Sequence, residues 1–176
     1  MMLYVLFVQW GYELRIIEDL RQKNIQAYCP RKLDAERRRG RWNDIWYYVE
    51  HNIFPGYVFV DIPELQPRIW HSVMKCSGAI RFVSELPLPP DEDDYIRRLC
   101  NNGDCIGISR GYVSDGTLHI TSGFLKDIEH EIVNFNRRGK RASADVMIYG
   151  EKHRIVFSVE FDARPPTRDE LRGGKK

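Results

Sequence analysis

The stretch IFPGYVFVDI, residues 53–62, decides the fold of the first half of the chain. Its Ile, Tyr, Val and Phe residues are typical of a buried β-strand, but Pro55 and Gly56 are residues that weaken a strand interior. Three arrangements fit this pattern: a turn between two short strands, an edge strand with a bulge, or a strand that begins directly after a fixed turn. The residues of the stretch alone leave all three open.

The segments around this stretch predict a domain of strands and helices over residues 1–100. The apolar run MLYVLFVQW, residues 2–10, has the length of a strand, and Leu14, Ile17 and Leu20 follow at helical spacing. The further predicted elements are, in chain order, strands in IQAYCPRKL, DIWYYVE and the opening stretch, a helix in PRIWHSVMKC, a strand in AIRFVSEL and a helix in DEDDYIRRLC. The order β-α-β-β-β-α-β-α predicts an α+β domain whose sheet is largely antiparallel.

The signals for helices stop after Cys100. The density of Gly, Asn, Asp and Ser in NNGDCIGISRGYVSDG predicts a linker over residues 101–113. Short strand-like runs separated by turn residues predict a small β-barrel over residues 114–164. Residues 165–176 have too few apolar side chains to fold alone, so we expect a flexible tail. The sequence therefore predicts two domains.

Composition and charge favour a protein of the cell interior. The chain has 176 residues, of which 43% are hydrophobic, so it can bury a sizeable core. A net charge of +2 is too small to indicate a strongly basic nucleic-acid coat, and the apolar runs are too short to cross a bilayer. The four cysteines have no CxxC spacing and the N-terminus does not resemble a signal peptide, which favours reduced thiols, a cytoplasmic location and no membrane partner.

The histidines give no sign of an active site or a metal site. They are widely spaced, at His51, His71, His119, His130 and His153. The sequence contains no HExxH or P-loop pattern, and surface or packing roles explain such scattered histidines. We therefore expect no catalytic residue, no metal, no cofactor and no enzymatic activity.

Two basic clusters are candidates for contact with nucleic acid, and a solvated turn is the alternative for each. The first, ERRRGRW at residues 36–42, lies at a predicted hairpin tip, where guanidinium groups suit phosphates and bases. Its candidate residues for DNA contact are Arg37, Arg38, Arg39 and Arg41. The second, RRGKR at residues 137–141, lies at a predicted turn of the barrel and favours phosphate binding. The candidate residues for RNA contact are Arg137, Arg138, Lys140 and Arg141, with Lys126, Lys152 and Arg154 as weaker ones.

Several motifs resemble those of the NusG family of transcription elongation factors. FPGYVFV, the N-terminal LYVLFVQWGYE with the helix after it, and RFV after the second helix are similar to the N-terminal domain of that family. TSGFLKDIEHEIVNFN resembles its KOW motif, with Gly123 at the first glycine of the motif and His130 where a second glycine is usual. Because a side chain is disfavoured at positive φ, His130 predicts a different loop shape at that position.

The resemblance implies an answer to the opening question and a partner. It implies that Phe54, Pro55 and Gly56 precede a sheet strand that runs from residue 57 to residue 60. Since side chains alternate along a strand, Tyr57 and Phe59 share one face. The resemblance implies that this aromatic face binds the clamp helices of RNA polymerase, together with Phe7 and Phe82. It also implies an N-terminal NusG-type domain followed by an SH3-like KOW barrel, which promote processive transcription by binding alone.

The resemblance extends to specialised members of the family. The basic turn RRGKR and the compact length favour the LoaP type, which are antiterminators associated with an RNA hairpin. The ERRRGRW loop keeps open the RfaH type, which reads the non-template DNA strand. The resemblance implies that general factors of the family bind ribosomal protein or Rho through a loop resembling IFGR. The matching residues 148–151 are IYGE, so these partners are less favoured here. A ribosome-associated KOW protein that binds RNA is a further alternative, although it leaves FPGYVFV without a role.

Overall fold

The computed structural model of the chain describes residues 1–40, 45–100 and 105–162. Its strands and helices are β1 (Met2–Val8), α1 (Glu13–Arg21), β2 (Gln26–Tyr28), β3 (Arg31–Arg38), β4 (Ile45–Asn52), β5 (Tyr57–Ile62), α2 (Pro67–Met74), β6 (Ala79–Phe82), α3 (Pro90–Cys100), β7 (Ser109–Ser114), β8 (Thr117–Ser122), β9 (Ile132–Asn136), β10 (Arg141–Ile148) and β11 (Glu151–Phe161). Two short 3-10 helices, Phe124–Lys126 and Glu129–Glu131, lie between β8 and β9. No helix among the described residues is long and apolar enough to cross a membrane.

The chain divides into two compact units, and each is described by itself. The first unit comprises Met1–Lys32, Glu50–Ile106 and Val146–His153, and the second comprises Leu33–Val49, Gly107–Asp145 and Arg154–Lys176. Most of the β3–β4 hairpin thus belongs to the second unit, and the turn between β10 and β11 belongs to the first. The domain boundaries expected from the sequence stay a prediction; residues 101–104 of the expected linker and the expected tail lie outside the described residues.

Pro55 and Gly56 lie directly before β5, so the third arrangement of the opening stretch is confirmed. The Tyr57 N–H donates to the Phe54 carbonyl at 3.1 Å and closes a turn over the two residues. Gly56 has a φ of +84°, and its N–H donates to the buried carboxylate of Glu13 at 2.8 Å. A β-carbon at Gly56 would lie 3.3 Å from the ring of Phe7. Glycine is therefore required both by the backbone conformation and by the close approach to β1.

The first unit contains a four-stranded sheet in the order β2-β5-β1-β6, and each neighbouring pair is antiparallel. On one face, Val58 and Val60 of β5 and Leu6 of β1 belong to a buried cluster with Ile16 and Leu20 of α1. These side chains are fully buried, and the amphipathic spacing of α1 places its apolar face on the sheet. The predicted antiparallel sheet with flanking helices is confirmed.

Helix α3 is fixed to the sheet by a buried ion pair. The Arg97 guanidinium donates to both carboxylate oxygens of Asp61 at 2.9 Å and also donates to Asp93 within the helix. Asp61 is buried, so its charge depends on this bidentate contact. Asp61 lies two and four residues after Phe59 and Tyr57 in β5, so the three side chains leave the same face of the sheet.

The second unit contains a five-stranded sheet in the order β8-β7-β11-β10-β9. Gly123 has a φ of +91°, and a β-carbon there would lie 2.7 Å from the Cα of Ser109, so this position requires glycine. His130 lies in a 3-10 helix and is not among the described residues with positive φ, so its backbone has a conformation that a side chain readily adopts. Together with the first unit, this barrel-like sheet confirms the predicted α+β fold class.

Two strands lie in segments that were predicted as a loop and as a linker. Strand β3 runs through DAERR, which was predicted as loop, because pairing with β4 and a hydrogen bond from Ala35 N–H to Ser158 Oγ at 2.9 Å satisfy its backbone. Strand β7, Ser109–Ser114, lies in the segment predicted as a linker. A β-carbon at Gly111 would lie 2.5 Å from the carbonyl oxygen of His119. This glycine therefore marks a close approach of two strands, not an irregular loop.

Candidate functional site

A row of three side chains crosses the sheet of the first unit. Phe7 of β1 lies opposite Tyr57 of β5 on one side and opposite Arg81 of β6 on the other. The rings of Phe7 and Tyr57 are 5.6 Å apart, and the Arg81 guanidinium lies 5.9 Å from the centre of the Phe7 ring. Phe7 and Tyr57 are half-buried and Arg81 is exposed. The row offers two aromatic rings and one positive charge to a partner.

The other two aromatic residues expected at this surface lie in the core. Phe59 shares the face of Tyr57, as the alternation predicts, but it is 0% exposed and packs edge-to-face on Phe54 with 5.6 Å between ring centres. Phe82 is buried in the cluster that faces α1 and α2. Both residues therefore support the row from within, and a direct role for them in partner contact stays a prediction.

Within the first unit, the turn between β10 and β11 lies beside this row. The His153 ring is 6.3 Å from the Tyr57 ring and 6.1 Å from the Phe54 ring. Tyr149 and Gly150, at the turn itself, have φ values of +50° and +75°, which are typical of a two-residue hairpin turn. A cavity of about 420 Å³ lies between this turn and the row and is lined by Tyr57, Arg81, Tyr149 and His153 among others.

The carboxylate of Glu92 in α3 holds the turn in place. It accepts hydrogen bonds from the backbone N–H groups of Tyr149 at 2.6 Å and of Gly150 at 2.9 Å. The Tyr149 hydroxyl donates to the Leu86 carbonyl at 2.8 Å, and burial raises the pKa of this phenol. The aromatic residue of the IYGE loop is therefore engaged within the first unit.

The predicted basic turn of the second unit joins β9 to β10. The Gly139 N–H donates to Asn136 Oδ1 at 2.8 Å, and the Lys140 N–H donates to the Arg137 carbonyl at 3.2 Å. Lys140 has a φ of +54°, and its ammonium group lies 4.6 Å from the centre of the Trp46 ring. The exposed cations at and beside the turn, which pair with no carboxylate of the described residues, are Arg137, Arg138 and Arg141. These cations are available to phosphate groups.

The weaker RNA candidates differ in their surroundings. Arg154 donates to both carboxylate oxygens of Asp145 at 2.8 and 3.0 Å, and this contact raises its pKa. Its charge is thus neutralised in place. Lys126 is exposed at the end of a 3-10 helix, and Lys152 is exposed but belongs to the first unit. Arg154 is therefore neutralised by an ion pair, whereas Arg137, Arg138 and Arg141 have no carboxylate partner among the described residues.

The candidate DNA residues lie at the end of the β3–β4 hairpin. Arg37 and Arg38 are the last residues of β3 and Arg39 follows the strand, and all three are exposed. Arg41 lies outside the described residues.

The sequence did not predict a site at the aromatic run of β4. The contact between Trp46 and Lys140 joins residues 94 positions apart, so no local pattern reveals it.

The cysteines and the acidic residues offer little chemistry. Among the described residues, no group of three or more His, Cys, Asp or Glu side chains is arranged to hold a metal ion. All four cysteines are described and none forms a disulfide. Burial raises the pKa of the Cys29 and Cys100 thiols to about 12, so both are protonated and unreactive near neutral pH.

Comparison with known proteins agrees with this architecture. The family model described as "Transcription termination factor nusG" matches residues 1–97, more than half of the chain. The chain is 24% identical over 170 residues to the transcription termination/antitermination protein NusG of Xylella fastidiosa, covering 84% of this chain and 90% of that protein. A solved structure described as "Domain interaction in Thermotoga maritima NusG" has a TM-score of 0.50 at 17% identity, and the match covers 89% of this chain and 93% of the other. By its sequence match and its fold, the chain belongs to the NusG family.

Proposed function

We propose that this protein is a transcription elongation and antitermination factor that binds RNA polymerase through its first unit and structured RNA through its second. The observation that carries the proposal is the row of Arg81, Phe7 and Tyr57 across the sheet, on a fold that matches the NusG family. Such a factor acts without chemistry of its own. Its effect is a binding free energy that differs between paused and elongating polymerase.

The polymerase contact is assigned to the row because aromatic and arginine side chains dominate interface energies. Tyr57 and Phe7 are held by the sheet in fixed positions, so few rotamers are lost on binding. Arg81 is exposed, and its guanidinium, which donates to the Phe82 carbonyl at 3.4 Å, has further donors for an acidic group on the partner. Phe59 supports the row by packing on Phe54 on the same face of the sheet, and Phe82 packs in the core on the opposite face.

The RNA contact is assigned to the basic turn, as in a LoaP-type antiterminator. Arg137, Arg138 and Arg141 have no carboxylate partner among the described residues, so binding phosphate costs them no ion pair. Because the base edges of a regular RNA helix lie in a deep groove, such a turn positions the RNA, and bulges or loops supply selectivity.

A RfaH-type role, in which the non-template DNA strand is bound, is supported by the exposed Arg38 and Arg39 at the end of β3. Rho and ribosomal protein are less supported, because Tyr149 is already hydrogen-bonded to Leu86.

A binding titration against core RNA polymerase tests the proposal. Wild type is compared with Tyr57→Ala, with Arg81→Glu and with the control Arg21→Ala, which changes an exposed arginine of α1. An aromatic anchor is worth about 2 kcal/mol, so Tyr57→Ala is expected to weaken binding about 30-fold, while the control binds like wild type. Purified ribosomes serve as the alternative bait. Ribosome binding in the absence of polymerase binding would favour the ribosome-associated alternative instead.

A further inference from the structure

The side chains of Lys23 and Cys76, both in the first unit, are in direct contact. The Lys23 ammonium donates hydrogen bonds to Cys76 Sγ at 3.1 Å and to the Ser72 carbonyl at 2.8 Å. Because one ammonium group makes both bonds, its nitrogen is fixed beside the sulfur. The two residues are 53 positions apart in the chain, so the fold brings this pair of reactive groups together.

The backbone of each residue is held by the helix before it. Lys23 lies two residues after the end of α1, and Cys76 lies two residues after the end of α2. The Lys23 N–H donates to the Leu20 carbonyl at 2.9 Å, and the Cys76 N–H donates to the Val73 carbonyl at 2.9 Å. The contact between the two side chains therefore starts from two fixed backbone positions.

The sulfur of this pair is buried and the lysine is exposed. Cys76 is 5% exposed and belongs to the hydrophobic cluster on the sheet face that α1 and α2 cover. A sulfur in such surroundings is shielded from bulky thiols such as glutathione. The Lys23 amine is the nucleophile that touches it. An oxidised Cys76 therefore meets this amine first.

The distance between the nitrogen and the sulfur suits the formation of a covalent bond. Reacting atoms held about 3–3.5 Å apart have a large rate advantage over groups that must meet by diffusion. The 3.1 Å between Lys23 Nζ and Cys76 Sγ lies in this range. Thiolates are oxidised to sulfenic acids, and a nitrogen nucleophile condenses with a sulfenic acid to give a sulfenamide. The pair therefore supplies both groups that this reaction requires.

We propose that Lys23 and Cys76 form a site of reversible oxidative cross-linking, at which a peroxide joins the two side chains through a sulfur–nitrogen bond. Hydrogen peroxide first transfers one oxygen to Cys76, which becomes a sulfenic acid, and one water is released. The neutral Lys23 amine then attacks the sulfur. The sulfur–nitrogen bond forms, the sulfur–oxygen bond breaks, and the leaving hydroxide takes a proton from the amine to become a second water.

The electrons of this reaction balance, and a thiol reductant reverses it. The sulfur is oxidised by two electrons and one peroxide is reduced by two, so the products are the sulfenamide and two waters. Two thiols of a reductant restore the lysine and the cysteine and become one disulfide. The protein needs no cofactor for either direction.

The link fastens the end of α1 to the turn that leads into β6. The Cys76 carbonyl accepts a hydrogen bond at 3.1 Å from the N–H of Ala79, the first residue of β6. A covalent link between residues 53 positions apart also lowers the entropy of the unfolded chain. Oxidation is therefore expected to raise the midpoint of thermal unfolding.

The experiment treats the full chain with hydrogen peroxide and maps its peptides by mass spectrometry without reductant. The variants are Lys23→Arg, Cys76→Ser and the control Lys75→Arg, which changes an exposed lysine next to Cys76 in the chain. Lys23→Arg keeps the positive charge, but a guanidinium is not deprotonated in proteins and cannot attack the sulfur. A parallel sample contains dimedone, which labels sulfenic acids. Circular dichroism verifies that each variant is folded.

Wild type and Lys75→Arg are expected to give a linked pair of peptides, one with Lys23 and the other with Cys76. The mass of this pair should be lower by two hydrogen atoms than the sum of the free peptides. Lys23→Arg and Cys76→Ser should lose the linked pair, and Lys23→Arg should accumulate Cys76 labelled by dimedone. The unfolding midpoint of oxidised wild type should rise and return to its starting value after dithiothreitol.

Three results would overturn the cross-link. They are a wild type whose Cys76 is labelled by dimedone or oxidised further with no linked pair, a Cys76 that peroxide leaves unchanged, and a linked pair that persists in Lys23→Arg. A link that forms without raising the midpoint would overturn the fastening of α1 to the turn before β6. Because Lys23 is exposed, Lys23→Arg tests the cross-link even if Cys76→Ser fails to fold.

Discussion

The carboxylate of Glu92 binds the backbone of Tyr149, at 2.6 Å from its amide nitrogen, and also binds the next amide of the same turn. This contact stabilises a tyrosine at a φ of +50°, a conformation that a bulky residue rarely adopts. The same turn brings His153 against Tyr57, the residue assigned to polymerase binding. A single buried carboxylate therefore holds the turn that lies beside the proposed polymerase surface.

Replacing Glu92 is expected to lower stability and to expose the Tyr57 surface. Glu92→Ala leaves two backbone N–H groups without their acceptor, which costs about 1–3 kcal/mol in the free energy of unfolding. The same change should raise the affinity for polymerase, because His153 is no longer held beside Tyr57. Chemical denaturation and polymerase titration measure the two effects. Glu92→Gln keeps one acceptor oxygen, so its stability and its polymerase affinity should both lie between those of wild type and Glu92→Ala. Weaker polymerase binding by Glu92→Ala would contradict the idea that His153 covers Tyr57.

The ion pair between Arg97 and Asp61 makes a second prediction. Arg97→Ala leaves the buried Asp61 carboxylate without its partner, and the expected loss is about 3–5 kcal/mol in the free energy of unfolding. Arg97→Lys should recover only part of this loss, since lysine cannot form the bidentate contact. Urea denaturation measures both variants. Arg21, whose contact with Glu18 is exposed, offers the control, and Arg21→Ala should change stability by less than about 1 kcal/mol.

Two glycines of the second unit form a matched pair for a third prediction. Gly123 and Gly116 both have positive φ, but a β-carbon at Gly123 would meet Ser109 at 2.7 Å while nothing lies within 4 Å at Gly116. Gly116→Ala should therefore cost only about 1 kcal/mol from the backbone conformation. Gly123→Ala should cost clearly more, because Ser109 must also shift. Thermal unfolding of the two variants compares them directly, and equal midpoints would mean that the contact with Ser109 relaxes freely.

The basic turn makes a fourth prediction, for structured RNA. Arg137→Ala with Arg138→Ala should weaken binding of a bulged RNA hairpin and flatten the dependence of log Kd on log salt by about one to two units. Arg154→Ala should leave the slope unchanged, because Asp145 already neutralises that arginine. Fluorescence anisotropy across a salt series measures the slopes. Identical slopes for the double variant and wild type would mean that RRGKR is a solvated turn that does not contact RNA.

Local pattern predicted most of the first unit. The strand lengths of β1 and β5 and the acidic first turn of α3 are each determined by neighbouring residues. Helical spacing also predicted α1, but Leu14 of the predicted face is exposed and Ile16 is buried in its place. The prediction failed at β3 and β7, because charged residues and glycine have low strand propensity and only pairing with distant strands makes these segments extended. Gly111 illustrates the failure: a loop signal in the sequence is a close strand contact in the structure.

The site could be predicted only in part for the same reason. Alternation correctly placed Tyr57 and Phe59 on one face, but the burial of Phe59 depends on Phe54, whose packing no period of the sequence encodes. The contacts of Lys140 with Trp46 and of Glu92 with Tyr149 join residues far apart in the chain. Such contacts follow from the fold and not from local spacing.

The central claim is that the row of Arg81, Phe7 and Tyr57 binds RNA polymerase and thereby promotes elongation. Single-round transcription through pause sites and a terminator, with RNA polymerase from the same organism, tests it most directly. We expect wild type to increase read-through over polymerase alone, and Tyr57→Ala and Arg81→Glu to lose this increase while the exposed control Arg21→Ala keeps it. Read-through that wild type leaves unchanged, or that the two row variants increase as much as wild type, would contradict the account.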